Sequence, residues 1–520
     1  MKDNEKKKVF SSHIFIFPFT WDILGDKKDL NSSFNKRVDL EKFDKLIDKS
    51  KWERKDIAEH IKKDDEKGSE NSYNQKSYFY ENVRYALFDS LNEGDDLKIV
   101  RNYRYKFENG EYYIEVGDYN EAGKEISYEY NLNITDIGLK IFETGVGLLM
   151  YYLENKNYSK LEDILRINDY GRRIYPQFLP LDDAKRSFLP KDTYINIDNN
   201  KFTEDFKSYE DKDNKKVISD IIMKTLGESI FIDNSIWINK NNILIKPIID
   251  DRMYTICWYA NNEFLEACEE DLYNENWYKY IFVDGGSRTV SDDFMAKDLI
   301  EKSTYTRWLR RKLNNKKRDV GENVYGTLFG ITRYSFMILG DEGDFNHDII
   351  RNHCKNIYSN LVSLLLVERA SILRFSNEIS KLSQLKINNT KNKKLCKDIS
   401  ELYRHYIKFV NQLYFREVTA QEQGIELYRI GLDITNIDNE VKALDEEIQE
   451  LHQYSELISD NIKNNTLNRL TILTGLTVGP SLIAGYFGMN IIDESYNLCI
   501  VKIIMGLSVI ISILIIKIKR

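Results

Sequence analysis

The most apolar stretches of the chain lie at its end. Residues 470–490 read Leu-Thr-Ile-Leu-Thr-Gly-Leu-Thr-Val-Gly-Pro-Ser-Leu-Ile-Ala-Gly-Tyr-Phe-Gly-Met-Asn, and a second run extends from Leu498 to Ile516. A helix of about 20 uncharged residues is what crosses a hydrocarbon core of ~30 Å. The pattern predicts two membrane spans, 470–490 and 498–516, joined by an acidic loop, 491–497, that carries Asp493 and Glu494. The opposing reading, a helical hairpin inside a soluble core, needs a polar face on the second run. That run is almost unbroken Ile, Val and Leu, as lipid demands. Lys463 and Arg469 precede the first span, and Lys517, Lys519 and Arg520 form a basic tail at 517–520. Positive charge at both outer ends places the N- and C-termini in the cytoplasm.

Within the first span, steps of three and four residues connect Asn464, Leu467, Thr471, Thr474, Val478, Ser481 and Gly485 on one helical face. Most are small or polar, and the rest of the surface is mainly Leu, Ile, Val and Tyr. Two readings are open at this point. Small residues let helices approach closely in lipid, and hydroxyls and amides line a wet pore narrowed by Leu467 and Val478.

Upstream, Ile434, Ile437, Val441, Leu444, Ile448, Leu451, Ser455, Ile458 and Ile462 recur at alternating threes and fours, a heptad-like seam with charged residues on the other faces. No proline interrupts it. One continuous helix is predicted to run into the first span, preceded by helical patterns at 347–384 and 395–423 that the polar stretch 386–394 joins. A coiled coil that merely oligomerises is the plainer alternative.

The first 345 residues show shorter alternations. Strands are predicted at 13–19, 97–107, 111–116, 125–133, 146–152, 243–249, 252–259 and 278–283, the second to fourth as a meander turning at Asn109-Gly110 and Ala122-Gly123. Helical patterns lie between them. The fold class expected is an α+β cytosolic domain, 1–345, a long α-helical stalk, 346–469, and the two C-terminal transmembrane helices.

Candidate chemistry in this front part is sparse. Thr144-Gly-Val-Gly147 lacks the third glycine of a nucleotide fingerprint and fits a strand with small residues better. Asp284-Gly-Gly-Ser-Arg288 fits an ordinary turn better than a phosphate cradle. Arg307, Arg310, Arg311, Lys312, Lys316, Lys317 and Arg318 form a basic run, more simply a solvated face than a lipid or anion site. His347, His353 and Cys354 are wrongly spaced for zinc on one helical face, and the five cysteines at 257, 268, 354, 396 and 499 show no CxxC pair. Phe15-Ile-Phe-Pro-Phe-Thr-Trp21 and Tyr325–Tyr334 fit a hydrophobic core better than ligand contacts. The N-terminus is too charged for a signal peptide. A net charge of −8 does not point to direct nucleic-acid binding, and no catalytic constellation stands out, so no enzyme is expected.

The segment Ile-Ala-Gly-Tyr-Phe-Gly-Met-Asn at 483–490, a second span and a basic tail resemble the CorA family of divalent-cation channels over residues 434–520. Phe487 stands where that family usually has Tyr. The resemblance implies a homopentameric funnel in the bacterial inner (plasma) membrane, with the first span lining one pore and Gly488, Met489 and Asn490 as the selectivity filter. It implies Mg²⁺ or another divalent cation as the transported ion, held hydrated by five copies of Asn490. Asp493 and Glu494 would concentrate cations outside the mouth, although their offsets from Asn490 are not the family's usual ones. Lys502 is unexpected, and most simply snorkels to the interface. The enlarged front end resembles CorA-like proteins associated with type III CRISPR systems, which implies an antiviral effector gated by a nucleotide second messenger, a conjugate of S-adenosylmethionine and AMP. The alternatives are a housekeeping Mg²⁺ transporter gated by intracellular Mg²⁺, and a membrane-anchored binding protein without conduction. No ligand-binding residues are assigned.

Overall fold

Thirteen residues from Ser11 to Ile23, rich in aromatic and β-branched side chains, form the strand β1, and all but Thr20 are buried. Burial on both faces is why the segment reads as a continuous apolar run rather than an alternation. The computed structural model describes residues 8–24, 34–56, 75–92, 99–119, 124–174, 189–204, 206, 218–227, 230–231, 243–250, 252–284, 297–308, 326–383, 392–488, 503, 506–507 and 510. Two compact units result: Met1–Lys381 with Glu401–Glu446, and Leu382–Ser400 with Glu447–Arg520.

The first unit is mixed α/β. After β1 come β2 (Trp52–Arg54), β3 (Val100–Tyr105), β4 (Gly110–Tyr119), β5 (Glu125–Phe142), β6 (Val146–Asn155), β7 (Asp192–Ile197) and β8 (Asn200–Thr203). Then follow β9 (Ile230–Phe231), β10 (Ile243–Pro247), β11 (Tyr254–Ala260), β12 (Thr304–Trp308), β13 (Gly326–Ile331) and β14 (Ser335–Gly340). They form one sheet in the order β12-β13-β14-β11-β1-β6-β5-β4-β7-β8, with β10 also on β1 and β3 also on β5. The helices used below are α1 (Phe34–Arg37), α2 (Leu161–Gly171), α3 (Glu275–Phe282), α4 (Ser359–Ser383), α5 (Asn392–Gln412), α6 (Glu422–Thr435) and α7 (Ile437–Gly488).

A proline in a central strand normally removes a ladder bond, yet Pro18 sits in the middle of β1 opposite Leu148 of β6. The other edge of β1 explains why it is tolerated. There β11 pairs with Ser11–Ile16 and β10 with Phe19–Ile23, so neither ladder includes Pro18. The Pro18 carbonyl accepts from Ile248 N at 3.3 Å, and in an antiparallel strand the nitrogen of the same residue faces the same edge. The missing N–H therefore points into the gap where β10 and β11 part.

A buried ionic network ties four pieces of chain together. Asp22 at the end of β1 accepts from Arg37 Nη1 at 2.9 Å and Arg374 Nη2 at 2.6 Å. Arg37 also binds Glu378 of α4. Arg374 Nη1 donates to the carbonyls of Trp21 at 3.1 Å and Gly145 at 2.9 Å. Gly145 has φ +77°, and a Cβ there would lie 2.6 Å from Arg374 Cζ, so both conformation and space require glycine. Burial works against the Glu378 charge, but Arg37 and Arg374 outweigh it and pull its carboxyl down to about 2.

The structure corrects several expectations. Residues 278–282 belong to helix α3, not a strand, and Val283 is its left-handed C-cap. Asn274 caps it by accepting from Asn276 N at 2.8 Å, and Trp277, Tyr280 and Ile281 are buried at helical spacing. The meander is also different: β3 does not pair with β4. Both lie along the 18-residue strand β5, β4 on Glu125–Asn133 and β3 on Gly138–Phe142, so Asn109-Gly110 is not a hairpin turn. The expected turn at Ala122-Gly123 lies outside the described residues. The pattern at 395–423 breaks at Gln412. Beyond it, Phe415 N donates to the buried Glu368 carboxylate at 3.1 Å, and Thr419 bridges to Phe79. Long-range partners thus replace helical ones without any Gly or Pro to signal it.

The heptad seam starts one element later than read. Asn436 has φ +59° and separates α6, which carries Ile434, from α7. From Ile437 the helix is continuous to Gly488, as expected. In the first unit Ile437, Val441 and Leu444 are buried, and the Val441 carbonyl accepts from Tyr406 Oη of α5 at 3.3 Å. In the second unit Ile448, Ser455 and Ile458 are buried, and the Ser455 carbonyl accepts from Cys396 Sγ at 3.4 Å. The chain thus covers its own seam with α5, where a coiled coil would use another copy.

Candidate functional site

The sequence-derived pore stripe lies on the last part of α7. Asn464, Leu467, Thr471, Thr474, Val478, Ser481 and Gly485 are all helical and all exposed. So is every other described position from Lys463 to Gly485, including Leu470, Leu473 and Leu482. Among the described residues, nothing beyond the chain neighbours and the helix's own backbone lies within 4 Å of where a Cβ would stand at Gly475 or Gly485. The seam that buries the earlier part of α7 ends near Ile462, and among the described residues nothing covers the apolar side chains beyond it.

The threonines of this segment turn back on the helix. Thr471 Oγ1 donates to Leu467 O and Thr474 Oγ1 to Leu470 O, both at 2.9 Å, and Thr477 Oγ1 to Leu473 O at 3.2 Å. Each hydroxyl proton is satisfied internally, which leaves the hydroxyl oxygen as an acceptor facing outward. An oxygen with its proton engaged is suited to water or a cation and offers nothing to an anion.

Among the described residues no helix is long and apolar enough to cross a membrane. Gly488 is the last residue of α7, whereas Met489, Asn490, Asp493, Glu494 and Lys502 lie outside the described residues. Of the predicted second span only Ile503, Gly506, Leu507 and Ile510 are described, and all four are exposed.

The other motifs become structural. Gly147 is the second residue of β6, where a Cβ would meet the Phe19 ring at 2.3 Å. It is a packing glycine. Phe15, Phe17, Phe19 and Trp21 are fully buried core. Asp284 follows helix α3 rather than a strand, and 285–288 lie outside the described residues. Arg307 is on β12, and the rest of the basic run also lies outside them. Among the described residues no His, Cys, Asp or Glu group is arranged to hold a metal. Cys354 is buried, which pushes its thiol well above the usual range.

Residues 370–520 match the model of the CorA-like Mg²⁺ transporter protein family, under a third of the chain. The matched stretch runs from within α4 through α5, α6 and α7. Two solved structures are similar. The full-length CmaX protein is 13% identical over 51% of this chain and 88% of its own, at a TM-score of 0.19. The CorA magnesium transporter from Methanocaldococcus jannaschii is 12% identical over 51% and 90%, at a TM-score of 0.22. Scores this low carry no argument about the fold. No curated protein matches.

Proposed function

We propose that the chain is a CorA-type membrane channel for Mg²⁺ or a related divalent cation. The observation that carries it is the family match over 370–520, the region that holds α7 and Gly-Met-Asn. The exposed end of α7 supports it, because an apolar helix surface that no described residue covers suits lipid or packing against other apolar helices. In this reading five subunits place Asn464, Leu467, Thr471, Thr474, Val478, Ser481 and Gly485 around one pore, with Gly488, Met489 and Asn490 at its mouth. Residues 470–490 and 498–516 cross the inner membrane, both termini are cytoplasmic, and Asp493 and Glu494 face the other side. Residues 1–345 act as a sensor and 346–469 as the stalk.

The finer reading, gating by the S-adenosylmethionine–AMP conjugate in type III CRISPR defence, rests on the layout of the chain alone. The competing reading is gating by intracellular Mg²⁺. Flux of Mg²⁺ into liposomes separates them. Purified protein is expected to conduct only when the conjugate is present on the cytosolic side. Conduction without it, shut off by rising cytosolic-side Mg²⁺, would establish the housekeeping transporter. Silence in both conditions would remove the channel reading with these ligands.

A further inference from the structure

The gap that Pro18 leaves between β10 and β11 is not filled by apolar side chains. Pro18, Ile249, Asp250, Arg252, Met253, Tyr254, Arg333, Tyr334, Arg172 and Leu366 line a cleft of about 240 Å³, counting the solvent at its mouth. Ile249 on its rim has φ +77°, a costly conformation for a β-branched residue. Three guanidiniums face a single carboxylate among these lining residues. Tyr334 is half in solvent, and its ring lies 5.8 Å from Arg172 Cζ and 5.9 Å from Arg252 Cζ.

Asp169, Asp250 and Asp284 act on these cations from nearby, yet among the described residues none of the three forms an ion pair with Arg172. Arg172 is only 3% exposed, its Nε has no hydrogen-bond partner, and Nη2 donates to the Val283 carbonyl at 3.2 Å. Arg252 Nε stands 3.5 Å from Asp250 Oδ2. Arg333 Nε donates to Ile434 O at 3.0 Å, and the neighbouring Arg369 donates Nη1 to the Arg333 carbonyl at 3.3 Å. Among the described residues no carboxylate pairs with Arg172, Arg333 or Arg369. Burial, with Arg252 adding repulsion, pushes the Arg172 guanidinium down to about 10, and burial with Arg333 lowers that of Arg369. Buried cations are ordinarily paired.

We infer that this cleft binds a small phosphate-bearing anion. Guanidinium forks fit phosphate oxygens, the buried Arg172 Nε lacks a partner, and the Tyr334 ring at the mouth offers a face to a base. The inference deepens the sensor reading of the front part, on which its physiological consequence rests, but binding itself needs no pore.

The test uses the full chain in detergent micelles, titrated calorimetrically with inorganic pyrophosphate and, separately, with AMP, at ionic strength matched with sodium chloride. Saturable binding of at least one probe is expected, weakened about tenfold or more in Arg252→Gln/Arg333→Gln, at the cost of charge-assisted hydrogen bonds. Tyr334→Leu, which leaves every charge in place, is expected to weaken AMP and spare pyrophosphate if a nucleotide is the ligand, and to change neither if phosphate alone is read. Thermal melting without ligand establishes that each variant is folded. No saturable binding of either probe overturns the proposal, as does binding that survives in the folded double variant. Binding lost with liposome flux intact removes the cleft alone; flux absent with binding intact removes the channel alone.

Discussion

Replacing Asn490 by alanine is expected to lower Mg²⁺ flux into liposomes by about tenfold or more, because on the proposed channel reading it removes the carbonyl oxygens that would receive a hydrated ion. Mg²⁺ gives up its waters reluctantly, so the favourable partner is a ring of neutral acceptors that bonds to the hydration shell from outside. Asn490→Asp keeps those acceptors and adds one charge per subunit. It is expected to retain binding and slow exit, since conduction needs attraction weak enough to release the ion. An unchanged oligomeric state by light scattering provides the control. Flux at the level of the unaltered protein in Asn490→Ala would remove Asn490 from the path.

Asp22→Ala is expected to cost about 3–5 kcal/mol of stability, the range seen when one partner of a buried ion pair is removed. Arg37 and Arg374 would stay buried around the site, with Glu378 as the remaining carboxylate. The adjoining Trp21 is fully buried, so its fluorescence during urea unfolding reports the loss. A midpoint equal to that of the unaltered protein would show that the network contributes nothing. The network also fixes a pH dependence. The Glu378 carboxyl is depressed to about 2 in the folded chain, against about 4.3 in an unfolded one. Its contribution is fully present above the unfolded value and disappears as pH falls through about 2. Glu378→Gln should therefore flatten the stability profile across that acidic window and leave its slope near neutrality unchanged.

The legible parts of the fold were those set by local pattern. Apolar and β-branched runs located β1, β6, β10 and β11, and period-3.6 seams located α4 and the long α7. Residues 278–283 misled because Trp277, Tyr278, Tyr280, Ile281 and Phe282 have strand composition, and only the cap at Asn274 speaks for a helix. The break at Gln412 and the placement of β3 beside β5 depend on partners far along the chain, Glu368 and Phe142, which no window contains. The helix that carries Asn464 through Gly485 was readable because the spacing of its seam is itself the signal. The cleft was not. Arg172, Arg252 and Arg333 follow a helix, precede a strand and sit in a β-hairpin, and the sheet topology alone brings them together.

The break at Pro18 also bears on which amides can open. β10 is held by Phe19–Ile23 and by the two residues of β9, whereas β11 lies between β1 and β14 over nearly its whole length. With no shared rung at Pro18, peeling β10 away leaves the β11 ladder intact. Native-state hydrogen exchange should find Leu244 and Ile245 released at lower free energy than Ile256 and Trp258. An occupant of the cleft would slow exchange in the first pair and leave the second unchanged.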